Sequence, residues 1–167
     1  MRVFLLGFLV GLSPWLQAGE ARAKVPPITT ASNWLERKWT VQEGLPGNIV
    51  PSILQSRSGR IWIGTLDGLA WSDGLKIYPI HSREYANAPD QGIWSLLEAR
   101  GGTIWIGGHN GHIHAFRQGR FENLTPQGIG SFNIDLGESG DGTVWAGGPL
   151  GLWRWTGQHW VRPTGAA

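Results

Sequence analysis

Cysteine is absent from this sequence, methionine occurs once, tyrosine twice, and only 16% of its 167 residues are charged. Without cysteine there is no disulfide to staple the fold and no thiolate to act as nucleophile or metal ligand, so packing must hold the structure together. The shortage of charge removes another class. Fourteen Lys and Arg face twelve Asp and Glu for a net charge of +2, and the basic residues are spread along the chain rather than clustered on a stripe, which excludes a nucleic-acid footprint. Long apolar runs are missing too. The longest unbroken stretch of apolar or glycine residues, Val3 to Leu12, is too short to cross a bilayer as a helix.

That stretch follows Arg2 and precedes small residues at Ala18, Ala21 and Ala23, the order of an export signal. A signal peptide is therefore expected over residues 1–23, cleaved after Ala18 or Ala23, with the mature chain in the periplasm. Removal at Ala23 takes away Arg2, Arg22 and Glu20 and leaves a charge of +1. A linker containing Pro26 and Pro27 is expected over 24–33, and the folded part over 34–167.

What the sequence has in quantity is glycine, 26 residues, and tryptophan, 11 residues, and both recur in register. Trp62, Trp105 and Trp145 stand 43 and 40 residues apart. Each has a glycine three places before it (Gly59, Gly102, Gly142), two after it (Gly64, Gly107, Gly147) and six after it (Gly68, Gly111, Gly151). Ile53, Leu96 and Leu136 stand nine before it. Several columns agreeing across three copies define an internal repeat.

Each copy reads as four short strands. NIVPSILQ, QGIWSLLE and IGSFNIDL lead through a glycine turn into RIWIGT, TIWIGG and TVWAGG. Turns at LDG, HNG and PLG lead into LAWS, HIHAF and LWRW, and further glycines into KIYPI, RFENL and HWVRP. Four-stranded units of about 40 residues are the pattern of propeller blades, expected here at about 47–80, 91–125 and 128–164. Alternation places Trp62 on one face of its strand and Ile61 and Ile63 on the other, so both faces can meet a neighbouring blade.

The stretch WTVQEGLPGNIVPSILQSRSGRIWIGTLDGLAWSDGLKI, Trp39 to Ile77, resembles the two-component regulator propeller repeat in its EGLP, its SGRIWIGT and the GL before strand three. The resemblance extends over Trp39 to Thr164. SGDGTVW does not fit the aspartate box of sialidase-type propellers, and no Trp-Asp pair ends strand three as a WD repeat requires. The resemblance implies a periplasmic sensor region of a membrane-bound histidine kinase, hybrid two-component protein or diguanylate cyclase, with a carbohydrate or other small extracellular ligand as partner. The chain has no kinase or cyclase motif, so a membrane-bound output domain would lie outside it.

Loops joining strand four to the next strand one, and strand two to strand three, share one face of a propeller. Here they carry Asn48, Asp67, Asp90, Gln91, His109 and Asn110, able to hydrogen-bond a ligand's hydroxyls, although each taken singly is also explained as a turn residue. Trp71, Trp94 and Trp153 could stack on a sugar ring or pack between blades. His109, His112 and His114 read as ordinary turn and strand positions rather than a metal site. Asp67, Asp90 and Asp135 do not make a convincing glycosidase pair, and no GxSxG occurs. Neither catalytic residues nor a cofactor is expected.

Strand counting leaves a remainder. Leu35 to Gln42, with Trp39 in the column of Trp160, reads as a leading orphan strand, because the third blade already has HWVRP as its fourth. The expected fold is thus all-β, a partial propeller of three four-stranded blades whose ring needs further blades or a second copy to close.

Overall fold

The computed structural model describes residues 37–163. The expected signal peptide, the expected linker and the start of the leading strand lie outside the described residues. Among the described residues no helix is long and apolar enough to cross a membrane.

Twelve strands form three antiparallel four-stranded sheets, each a simple up-and-down meander. The first sheet is β1 (Ser52–Gln55), β2 (Ile61–Thr65), β3 (Gly68–Ser72) and β4 (Ile77–Ile80). The second is β5 (Ile93–Glu98), β6 (Ile104–Gly108), β7 (Ile113–Arg117) and β8 (Arg120–Asn123). The third is β9 (Asp135–Glu138), β10 (Val144–Gly148), β11 (Gly151–Trp155) and β12 (Trp160–Val161). The three sheets are consecutive propeller blades, as the repeat columns require. Ile53, Leu96 and Leu136 pair with Ile63, Ile106 and Ala146 in the same register in every blade.

The core lies in the seams between blades. Trp62 of blade 1 packs with Ile104, Ile106, Phe116 and Phe121 of blade 2, its ring centroid 5.0 Å from that of Phe116. Trp105 of blade 2 packs with Val144 and Ala146 of blade 3 and meets Trp155 and Trp160 at 5.2 and 5.4 Å. Each Trp face therefore receives the aliphatic face of the following blade. The glycine two places on makes this close approach possible. A Cβ on Gly64 would lie 2.6 Å from Ile93 Cγ2, and one on Gly107 would lie 2.4 Å from Ile134 O. Trp145 and Gly147 hold the same register but face no further blade among the described residues. Trp145 is accordingly only half-buried, against 3% exposure for Trp62 and 4% for Trp105, so the expected equivalence of the three tryptophans holds for register and not for burial.

A second set of contacts repeats at the far end of each seam. The Arg57 amide donates to Glu98 Oε2 at 2.7 Å and its Nε lies 3.2 Å from Glu98 Oε1. One blade on, the Arg100 amide donates to Glu138 Oε1 at 3.0 Å and its Nη1 to Gly140 O at 2.7 Å.

Two expectations are corrected. The leading segment is not a strand over its described part, because residues 41–43 form a 3-10 turn. Thr40 and Glu43 cap that turn reciprocally, and Gly44 closes it at φ 104°, a left-handed conformation that glycine accepts readily. The segment has another use: Trp39, Leu45 and Val50 cover Ile63, Ala70 and Ile77, the outer face of blade 1. In blade 3 the first strand begins at Asp135 rather than near Ile129. In blades 1 and 2 the Leu66 and His109 amides donate to Ile49 O and Gly92 O, tying the incoming chain to the β2–β3 or β6–β7 turn. The equivalent residue in blade 3 is Pro149, which has no N–H to give. The incoming chain binds blade 2 instead: Ile134 N donates to Gly108 O at 3.2 Å, and Ser95 Oγ donates to Ile134 O at 2.6 Å.

Candidate functional site

Blade 2 departs from its neighbours twice, both times at the same end of its sheet. In β5 the pairing runs from Ile93 opposite Gly108 to Ser95 opposite Gly107, leaving Trp94 as a bulge. The β6–β7 hairpin is also one residue longer than its counterparts. In blades 1 and 3 the turn closes at Thr65 opposite Gly68 and at Gly148 opposite Gly151. In blade 2 it closes where Gly108 N donates to His112 O at 2.7 Å. Gly111, which shares a sequence column with Gly68 and Gly151, therefore sits inside the turn at φ 82°, and a Cβ there would lie 1.8 Å from Gly130 O. His112 takes the place of the two glycines. His114, opposite Ile106, takes the place held by Ala70 in blade 1 and Trp153 in blade 3.

At that end of blade 2 lies a cavity of about 100 Å³ bounded by the blade and by the loop that enters it from blade 1, with Ile93 and Ile106 as apolar wall and Asp90, Gln91, Asn110, His112, His114 and Asn123 as polar lining. Gly92 and Gly108 also line it, and neither has room for a side chain: a Cβ on Gly92 would lie 2.8 Å from Leu66 O, and one on Gly108 would lie 3.2 Å from His112 O. Asn110 Nδ2 donates to Gln91 Oε1 at 2.8 Å, fixing one rim. His114 is 8% exposed. Burial, with His112 alongside at 6.2 Å between ring centroids, pushes its pKa down to about 4, against the opposing pull of Asp90, so the ring is neutral at neutral pH. A second cavity of about 340 Å³ adjoins, lined by Pro46, Asp67, Ile80, His81, Arg83 and again Asp90.

Of the six residues singled out in the sequence, Asp90, Gln91 and Asn110 meet in the first cavity, and Asp67 joins Asp90 in the second. His109 turns away, with Nδ1 2.5 Å from Asn133 Oδ1 at the next seam. Asn48 braces the leading segment, where its Oδ1 accepts from Val41 N at 3.1 Å. Among the tryptophans, Trp153 is buried. Trp71 is stacked on Tyr78 at 4.2 Å with the Arg60 guanidinium 4.1 Å from its ring. Trp94 donates from Nε1 to Asp135 Oδ1 at 3.1 Å. The sequence reading missed Asn123, which reaches the cavity only because β8 pairs with β7. The extra turn residue that brings His112 and His114 to the cavity is likewise hidden by the matching glycine columns. Among the described residues no group of three His, Cys, Asp or Glu side chains could hold a metal ion.

These blades can be set beside known proteins. Residues 44–67 match the family described as two component regulator propeller. The matched repeat runs from the glycine that ends the 3-10 turn, through β1 and β2, to Asp67 at the rim. No curated protein matches the chain. Among solved structures, the extracellular domain of a hybrid two component system from B. thetaiotaomicron is similar at a TM-score of 0.60 and 19% identity, covering 71% of this chain and 17% of that one. Virginiamycin B lyase from Staphylococcus aureus is similar at a TM-score of 0.51 and 18% identity, covering 67% of this chain and 40% of that one. At these identities the likeness is one of fold. The chain spans less than half the length of either structure, and the propeller repeat is what it shares with them.

Proposed function

We propose that this chain is a ligand-sensing propeller segment that works outside the cytoplasm as part of a two-component or cyclic-dinucleotide signalling protein. The observation that carries the reading is the cavity of blade 2, where the lengthened hairpin sets His112 and His114 beside the polar residues of the β4–β5 loop. Bulges such as the one at Trp94 commonly re-aim side chains beside functional sites. The cavity combines an apolar wall with convergent hydrogen-bonding groups, the usual make-up of a small-molecule site. The regulator-type repeat at residues 44–67 and the fold shared with an extracellular domain of a hybrid two component system support the signalling context. The export pattern of the first 23 residues supports the compartment. The role is binding rather than catalysis, and the half-buried Trp145 face would be completed by a further blade or a second copy.

A thermal-shift screen of the full chain against small extracellular metabolites, saccharides included, tests the reading. A ligand at one hundred times its Kd stabilises the folded state by about 2.7 kcal/mol, a shift of several degrees for a domain of this size. Gln91→Ala and Asn110→Ala should diminish that shift. A screen in which no compound raises Tm in the wild type, or in which these variants respond as the wild type does, would overturn it.

A further inference from the structure

The cavity of blade 2 has a chemical bias. It contains one carboxylate, Asp90, three amide side chains and two imidazoles, and no Lys or Arg among its lining residues. Arg83 lines the adjoining cavity together with Asp90, and its Nε lies 3.8 Å from Glu84 Oε1. Among the described residues the His114 ring makes no hydrogen bond to protein, although it is 8% exposed and lines the cavity. A neutral imidazole offers one acceptor nitrogen and one N–H. Gln91 and Asn110 already satisfy each other through one contact, which leaves the Gln91 amide N–H and the Asn110 carbonyl for a guest. The two sister blades serve as internal controls. Where His112 and His114 stand, blade 1 has Gly68 and Ala70 and blade 3 has Gly151 and Trp153, so the repeat itself does not call for these side chains.

We infer that this cavity recognises a protonated primary amine on a small hydroxyl-bearing ligand, with Asp90 as its counter-charge and the buried His114 ring and Asn110 carbonyl as acceptors. The inference rests on the ligand-sensing reading and narrows it. An ammonium group has three donors and no acceptor, matching a lining rich in acceptors and holding a single negative charge. An anionic ligand would meet Asp90 with no cation in the cavity to offset it. A neutral polyol would gain a hydrogen bond to Asp90 but no ion pair with it.

Isothermal titration of the full chain with glucosamine, putrescine, glucose and glucuronate discriminates these cases. Glucosamine should bind at least about tenfold more tightly than glucose, and glucuronate should be weakest. Putrescine separates the amine from the sugar: its binding near the glucosamine level would assign recognition to the ammonium group alone, whereas weak binding would make the hydroxyls part of it. Asp90→Asn should weaken glucosamine at least about tenfold while leaving the Tm of the unliganded chain unchanged, since Asp90 is exposed. His114→Ala, which restores the residue of blade 1, should weaken glucosamine severalfold. Equal affinity for glucosamine and glucose, or an Asp90→Asn variant that binds glucosamine normally, would overturn the amine assignment while leaving ligand sensing intact. Absence of response to these four and to every other small molecule would overturn both.

Discussion

Ile93 at the start of β5 presses onto Gly64 in the middle of β2, so that a Cβ on the glycine would stand 2.6 Å from the isoleucine Cγ2. One blade on, the backbone carbonyl of Ile134 occupies the same place over Gly107. Gly64→Ala and Gly107→Ala should therefore each destabilise the fold by roughly 1–3 kcal/mol, as overpacking does. Gly107→Ala should cost more, because a backbone atom yields less than a side-chain methyl. Gly147→Ala should be close to neutral, its nearest neighbour being Leu152 Cδ2 at 3.3 Å. Urea denaturation midpoints of the three variants check the order.

The tryptophans should divide in the same way. Trp62→Ala and Trp105→Ala remove side chains that fill a closed seam and should cost about 3–5 kcal/mol. Trp145→Ala should cost less than half as much, since its ring is only half-buried, although it would also lose the Nε1 bond to Ser139 Oγ at 3.0 Å. Equal losses at all three sites would mean that the Trp145 face is covered in solution.

The leading segment should behave as part of the core. Leu45 is 8% exposed and shares a cluster with Ile63, Ala70 and Ile77, so Leu45→Ala should cost about 2–5 kcal/mol and uncover the outer face of blade 1. Increased binding of a hydrophobic dye before the main thermal transition would report that exposure. An unchanged Tm would show that the segment is not docked there.

The His114 ring predicts a pH dependence of defined sign. Its pKa is about 4 in the folded chain against 6.5 for a free histidine, so between these values the unfolded chain holds the extra proton. Stability gained from keeping the ring neutral is complete above about pH 7 and is lost as the pH falls from 6.5 towards 4, by up to about 3 kcal/mol. The Tm of the wild type should thus fall relative to that of His114→Ala as the pH is lowered through this window. Parallel curves would show that the ring is not titrating against burial.

Much of this architecture is local and could be read directly. Glycine at Gly59, Gly102 and Gly142 permits the positive φ of each first hairpin turn, at 83°, 81° and 87°, and the alternation in IWIGT needs only the two-residue period of a strand. These signals act over a few residues, which is why the blades and the register of their first two strands could be placed from the sequence. The site was half legible. Asp90, Gln91 and Asn110 were visible as loop residues, but matching glycine columns gave Gly111 the place that His112 occupies, because a single extra turn residue does not disturb a column count.

The three blades, their four strands and the alternating apolar faces were determined by the sequence alone, since hydrogen-bonded hairpins depend on neighbours in the chain. Tertiary structure decided the rest: that Leu45 and Trp39 cap blade 1 instead of extending as a strand, that Trp145 meets no following blade among the described residues, and that His114 lines a cavity. Each depends on which surfaces meet once the strands have paired. The free energy of such contacts comes from which two faces meet, and no local pattern states that.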